Sequence, residues 1–408
     1  MAKSKIHVGL EIGTSKTCMV VAEVKPDDSL KILAVSENGS AGVRRGEISD
    51  YPLARAGVKS ALLEAEDLSD VEINSVFLAV TGSHIKGVNN RGTYRLPEEE
   101  EEVHIGHVTE ATEIARDVSI PSDNVYLHSL IRNYRLDGHD HNVSPVGLHG
   151  RTLDVDYHIV HGIRTRIQNS IKCVREIPLE VDDVVFSPIA SALVALDREG
   201  KDSGALVIDM GGGTTDYVLY HNGSIAASGC IPVGGEHVTN DIHLVTRIPL
   251  SEAEKVKKTE GDASGNPAHN VGKIRVTDDK GFTETEIERE TLNGIINYRL
   301  EETLQLVKNN LPKEELSRVG TGVFLTGGAS QMRGFSQLVN SVFDLPVYEA
   351  DQPDISGVHA NFRSPQYATA IGLIRYAQLI DSERQATTGG NKISRFVRTL
   401  GRAIWPFG

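Results

Sequence analysis

The feature that most constrains this chain is a local pattern that occurs twice. Ile6 to Val24 and Ala205 to Tyr220 each read as an apolar strand ending in an acidic residue, a short turn of Gly, Thr or Ser, and a second apolar strand. The first copy carries Glu11 and Gly13-Thr14-Ser15, and the second carries Asp209 and Gly211-Gly212-Gly213-Thr214. One copy alone is an ordinary hairpin, because Gly-rich turns are common. Two copies imply two related halves, each built on its own hairpin.

Each turn sets backbone N–H groups and hydroxyls beside a carboxylate. That combination suits a nucleoside triphosphate clamped between the halves: the turns donate to the phosphates, and the carboxylates hold Mg2+ through water, which Mg2+ gives up reluctantly. Glu11 and Asp209 are the expected metal-facing acids. Gly13, Thr14, Ser15 and Lys16 form the expected first phosphate turn, and Gly211, Gly212, Gly213, Thr214 and Thr215 the second. Lys16 adds a positive charge. Two other phosphate motifs are excluded. Ser15-Lys16-Thr17 matches only the last three letters of G-x-x-x-x-G-K-[ST], and no G-x-G-x-x-G opens a helix after the first strand.

Around these hairpins the pattern predicts a helix over Asp50 to Glu66, a buried strand within Val71 to Thr81, and helix, strand (Asp183 to Phe186) and helix between Arg164 and Ala195. The texture changes from about His84 to Gly162, with short strands, the acidic run Glu98 to Glu102 and the loop GHDHNVSPVGLHG, which reads as an inserted α+β subdomain. Its His139, His141, His149, His158 and His161 lack the tight spacing of a metal site and read as solvated histidines. The expected layout is a first core subdomain from 1–83, 163–203 and 355–380, the insertion at 84–162, and a second core subdomain from 204–233 and 313–354. A mostly helical subdomain at 234–312, a linker at 381–391 and an amphipathic helix at 392–408 complete it.

A formal charge of −14 argues against nucleic acid as a partner, since a phosphate backbone would meet mostly like charge. Cys18, Cys173 and Cys230 are odd in number and far apart, so they read as reduced packing thiols. The segment MAKSKIHVGLEIG lacks a long apolar core, which predicts a cytoplasmic chain.

Taken together, VGLEIGTSK, DMGGGTTD, SPIASAL and LTGGAS resemble the phosphate, connecting and adenosine motifs of the superfamily that holds actin, sugar kinases and heat-shock chaperone ATPases. Within it, TGSHIKGVNNRG, VGGEHVTNDI and AEKVKKTEG are similar to the FtsA family of bacterial cell-division proteins. The resemblance implies an actin-like (ribonuclease H-like) two-lobed α/β fold that binds ATP with Mg2+. It assigns Gly235, Glu236 and Lys257 to ribose and adenine, with Gly327 and Gly328 under the base. It also implies self-association into polymers, binding of the C-terminal peptide of the tubulin-like FtsZ by residues 234–312, and contacts with other division proteins through the insertion. In actin-like filaments a Gln or Glu on the connecting helix positions water; Ser187 stands there in this chain. Asp216 is then the remaining candidate to polarise water, and turnover is expected to be slow or absent. The competing expectation is a soluble sugar kinase-type phosphotransferase of the same superfamily.

The segment KISRFVRTLGRAIWPFG separates these readings. Ile393, Phe396, Val397, Leu400 and Ile404 recur at helical spacing, Arg395, Arg398 and Arg402 fill positions between them with no acid, and Trp405 and Phe407 follow. A cationic amphipathic helix on an acidic protein predicts attachment to anionic lipid, each basic residue contributing about 1 kcal/mol near the surface. The expected location is therefore peripheral, on the cytoplasmic face of the inner membrane at the division site.

Overall fold

A computed structural model describes residues 5–277, 284–350, 355–357 and 360–388. The expected membrane-binding residues Ile393, Arg395, Phe396, Val397, Arg398, Leu400, Arg402, Ile404, Trp405 and Phe407 lie outside the described residues, as do Gly389 to Asn391 of the expected linker. Among the described residues no helix is long and apolar enough to cross a membrane.

The sequence repeat becomes a repeat of topology. In the first lobe, strands Leu30–Gly39, Lys16–Val24 and Lys5–Ile12 form an antiparallel meander, and Ser75–Val80 and Glu180–Phe186 add parallel strands beyond Lys5–Ile12. In the second lobe, Ser224–Ile231, Thr215–His221 and Ala205–Met210 repeat the meander, and Gly322–Thr326 and Val347–Glu349 repeat the parallel pair. Ile355–Gly357 pairs with Leu30–Gly39 at the edge of the first sheet. The central strands are apolar on both faces, as VIDM and MVVA show, because helices cover each sheet on both sides. One apolar core runs from the first lobe onto second-lobe strand residues such as Val207, Val218 and Tyr220, a second fills the rest of the second lobe, and a smaller one around Val20, Ile32 and Ile371 completes the first lobe.

Helix Tyr51–Ser69 begins where expected: the Asp50 carboxylate accepts from the Leu53 N–H, Pro52 sits in the first turn, and Asp70 closes the helix in the left-handed region. Two helices tie the lobes together under the cleft, Ser187–Ala195 and Ala368–Thr388. They meet at Gly372, where a Cβ would lie 1.9 Å from the Ala190 carbonyl oxygen, so only Gly permits the approach. The second of these helices corrects the linker expectation. Asp381 to Thr388 continue the helix, and Asp381 pairs with Lys5 and His7 at 3.0 Å each.

The inserted segment forms its own antiparallel sheet, in the order Lys86–Arg95, Thr152–Ile163, Asn124–Leu136, His139–His141, with helix Ile105–Arg116 packed on it over a core of its own. Of its five histidines, His139 and His149 are exposed and His141 half-buried, in keeping with the solvated reading, while two differ from it. His158 and His161 are buried; His158 bonds Asn89 and Ser228, and thereby joins the insertion to the second lobe. All three cysteines are buried free thiols. The 234–312 segment holds helices Gly235–Thr246, Leu250–Glu260 and Arg289–Asn310, but also an unexpected two-stranded ribbon, Lys273–Thr277 with Glu284–Glu288.

Candidate functional site

The two hairpin turns close identically. The Gly13 N–H donates to the Lys16 carbonyl at 2.9 Å, and the Gly211 N–H to the Thr214 carbonyl at 2.9 Å. The turns face each other tip to tip across a cleft of about 860 Å³ between the lobes. A Cβ on Gly212 would lie 2.8 Å from Ser15 Oγ, and one on Gly213 2.3 Å from Thr14 Oγ1, which explains why the second turn is glycine where the first is Thr-Ser.

Glu11, Gly13, Thr14, Ser15, Lys16, Asp209, Gly211, Gly212, Gly213, Thr214, Asp216, Gly235, Glu236, Lys257, Gly327 and Gly328 all line this one cleft. Thr215 does not. Its side chain is fully buried and its hydroxyl donates to the Val233 carbonyl at 2.8 Å, because strand alternation turns it away from Thr214. The expectation that Thr215 contacts phosphate is therefore corrected.

At the cleft floor Glu11 has one carboxylate oxygen, Oε2, buried with no hydrogen-bond partner, and Lys16 Nζ stands 3.9 Å away. Burial pushes the Glu11 carboxyl up to about 7, with Lys16 opposing the shift. Asp209 is held differently: its Oδ2 accepts from Ser191 and from Thr369, the latter at 2.9 Å. Burial raises its pKa, and those two hydroxyls pull it back. Asp216 pairs directly opposite Asp209 in the hairpin register. Burial, and then the Asp209 charge, raise it to about 7, while Thr81 Oγ1 donates to it at 2.5 Å. Lys16 also donates to the Gln366 carbonyl at 2.5 Å and lies 4.6 Å from the Tyr367 ring centroid. An orphaned carboxylate oxygen beside a second buried acid and facing hydroxyls fits a hydrated divalent cation.

On the far wall, Gly235 and Glu236 open helix Gly235–Thr246, with their N–H groups donating to the Gly211 and Gly212 carbonyls. Lys257 reaches the cleft, but its ammonium is already satisfied by the Gly235 carbonyl, Thr239 Oγ1 and the Glu254 carboxylate. Gly327 adopts φ of 84°, and a Cβ on it would lie 2.5 Å from Asp209 Oδ1. Ser187, buried, donates to the Val80 carbonyl at 3.1 Å. Sequence reading missed Ser40, Gly46, Thr81, Glu254 and Thr369, all of which line the cleft.

With this geometry in place, comparison with known proteins is decisive. Residues 206–372 match the family model described as cell division protein FtsA, and residues 82–161 match the SHS2 domain inserted in FtsA. The cell division protein FtsA of Neisseria meningitidis serogroup B is 33% identical over 373 residues, covering 90% of this chain and 89% of the relative. The chain belongs to the FtsA family. FtsA of Escherichia coli K12 is 32% identical over 92% of this chain and 90% of its own length, and FtsA of Bacillus subtilis 31% over 96% and 87%. Among solved structures, the PilM–PilN type IV pilus biogenesis complex aligns with a TM-score of 0.65 at 18% identity, covering 90% of this chain and 97% of that one. MreB5 of Spiroplasma citri bound to ADP aligns at 0.56 and 16% identity, covering 95% and 99%. These likenesses establish an actin-like fold, and the family places the chain among cell-division proteins. The segment matched as the SHS2 domain inserted in FtsA coincides with the separate sheet and helix described above.

Proposed function

We propose that this FtsA-family protein binds ATP with Mg2+ in the interlobe cleft, assembles with copies of itself on the inner face of the cell membrane, and tethers FtsZ filaments there. The observation that carries the nucleotide reading is the pair of turns meeting above the orphaned Glu11 oxygen. Thr14, Ser15 and Thr214 hydroxyls and the turn N–H groups would hold phosphate, Glu11 and Asp209 would hold hydrated Mg2+, and Gly235, Glu236, Gly327 and Gly328 would frame the adenosine. When bound, Mg2+ supplies charge neutralisation of the phosphates. Slow turnover follows from the protein's own groups. The Ser187 hydroxyl is committed to the Val80 carbonyl, and Asp216, at about 7, holds its proton for much of the time near neutrality.

Membrane attachment rests on the pattern of residues 392–408. For FtsZ, the helical segment offers Leu244, Val245, Leu250 and Tyr298, all exposed, as apolar anchors for a peptide. Self-association and contacts with other division proteins through the inserted sheet are carried by the family likeness alone.

The test combines two measurements. Mg2+-ATP binding is followed by calorimetry, and sedimentation with vesicles containing anionic lipid compares the full chain with one ending after Asn391. We expect saturable Mg2+-dependent binding by both, and lipid binding by the full chain only. Absence of ATP binding would sink the nucleotide reading; equal behaviour of the two chains with lipid would sink the anchor.

A further inference from the structure

The two linking helices serve a second cavity. Ser187 and Thr369, in their first turns, line the interlobe cleft, whereas Leu193 and Leu379, further along them, line a separate space of about 610 Å³. The two spaces share no lining residue. The other walls come from three directions. Leu130 and Ile131 belong to the inserted sheet, Tyr220 and Ile225 to the second-lobe strands on either side of the turn Asn222-Gly223, and Asp28 to a first-lobe turn. These turns are tied down. The Gly223 N–H donates to the Lys201 carbonyl at 2.9 Å, and the Asp28 carbonyl accepts from Arg375 and Gln378 at 2.9 Å each. The cavity is thus framed by fastened segments where both lobes and the insertion meet.

Its inner wall is apolar, with one unmet polar atom. Leu130, Ile189 and Ile225 are buried in the core that runs across the lobes, and Leu193 and Leu379 pack against it. Tyr220 is fully buried there too, and its hydroxyl has no hydrogen-bond partner, a rare condition for a buried polar group. The charges are sorted by depth. Asp28, Arg198 and Asp202 are exposed, and the last two pair at 3.7 Å. The half-buried charges on the wall are both cations, Lys201 and Arg375. Lys201 Nζ stands 5.7 Å from the Tyr220 ring centroid. Burial pulls its ammonium down to about 8, with Asp197 and Asp202 opposing, so an anion placed beside it would restore the charged form.

We infer that this cavity binds a small amphipathic carboxylate, whose apolar body lies on Ile189, Leu193, Ile225 and Leu379 and whose carboxylate meets the Lys201 ammonium. The inference stands apart from the nucleotide reading. The volume suits a small ligand, the apolar wall supplies affinity, and one cation fixes the orientation. Arg375 is less suited to that part, because its guanidinium already donates to the Asp28 carbonyl and to Gln378. A ligand held in this way touches a linking helix, the second lobe and the insertion together.

The probe is decanoate, with decanol and decyltrimethylammonium as neutral and cationic forms of the same chain, each titrated into the full protein below its micelle concentration. Binding is followed by NMR of isoleucine δ1 methyl groups. Ile131, Ile189 and Ile225 line the cavity, Ile274 and Ile287 sit in the ribbon within 234–312 and line neither space, and Ile393 and Ile404 report separately on the terminal segment. We expect saturable decanoate shifts at the three cavity methyls, with decanol about tenfold weaker there and decyltrimethylammonium weaker still. Lys201→Met keeps the apolar stem and should reduce decanoate to the affinity of decanol. Ser224→Phe fills the cavity without emptying the core and should abolish binding of all three; circular dichroism with thermal melting checks both folds. Equal affinities for the three head groups in wild type would overturn the proposal, as would undiminished decanoate binding by folded Lys201→Met. Shifts confined to Ile393 and Ile404, or shared equally with Ile274 and Ile287, would overturn the site itself.

Discussion

The two turns at the cleft are closed by the same hydrogen bond, but the acids beside them are treated oppositely. Asp209 in the second lobe accepts from Ser191 and Thr369, which lie on the two helices that tie the lobes together. Glu11 in the first lobe keeps one oxygen without a hydrogen-bond partner, with only the Lys16 ammonium near it at 3.9 Å. The register shows where the divergence starts: Glu11 stands opposite Cys18, whereas Asp209 stands opposite Asp216. Two acids facing each other in a buried hairpin need donors, and the linking helices provide them. One copy of the motif has thus become part of the joint between lobes, and the other remains open to a ligand.

The comparison breaks most visibly at the joint. Replacing Ser191 with Ala and Thr369 with Val would strand a buried Asp209 oxygen, at a cost of about 3 kcal/mol measured by urea unfolding. A loss below about 1 kcal/mol would mean the linking helices do not hold Asp209. Next in size is Glu11→Gln. It should not lower the stability of the unliganded protein, but should weaken Mg2+-dependent nucleotide binding by about tenfold, with calorimetry in EDTA as the reference. Equal effects of Glu11→Gln and Asp209→Asn on both readouts would erase the asymmetry. A smaller effect is expected from Gly213→Ala, whose Cβ would press on Thr14. It should hold the turns apart, cost about 1 kcal/mol of binding or stability, and be relieved by Thr14→Gly.

The hairpins were legible because alternating or continuous apolar runs broken by Gly and Thr can form little else, and repetition made the pairing of lobes legible as well. The Thr215 error came from reading GGGTTD as a string; period two along Thr215–His221 already puts neighbouring threonines on opposite faces. Polar composition misled at Asp381 to Thr388, since Ser-Glu-Arg-Gln-Ala contains nothing that stops a helix before Gly389. The ribbon within 234–312 carries a strand signal in KIRVT, alternating and rich in β-branched residues, which the strong helical face of Leu292 to Val307 overshadowed. Ser40, Gly46, Thr81 and Thr369 reach the cleft from segments far apart in the chain, and small residues of that kind carry no spacing that could announce them.

The finest discrimination between the two acids comes from pH. Burial pushes the Glu11 carboxyl in the folded protein up to about 7, above the ordinary carboxylate range, so its protonated form is the one the unliganded fold favours. Its stabilising contribution is fully present below the unfolded value and is lost as pH rises through about 7. Because 23% of the side chain remains exposed in the cleft, the swing is set at about 1 kcal/mol rather than the full value of the shift. Subtracting the stability of Glu11→Gln from that of wild type between pH 5 and 8 isolates this swing from Asp216, which shifts in the same direction. The difference should fall with rising pH and level off above about 8. Mg2+-ATP should reverse the slope, since a hydrated cation binds the ionised carboxylate and its affinity therefore increases through the same range. A flat difference curve would show that the cleft floor leaves Glu11 an ordinary carboxylate, and the orphaned oxygen would then lose its claim to the metal.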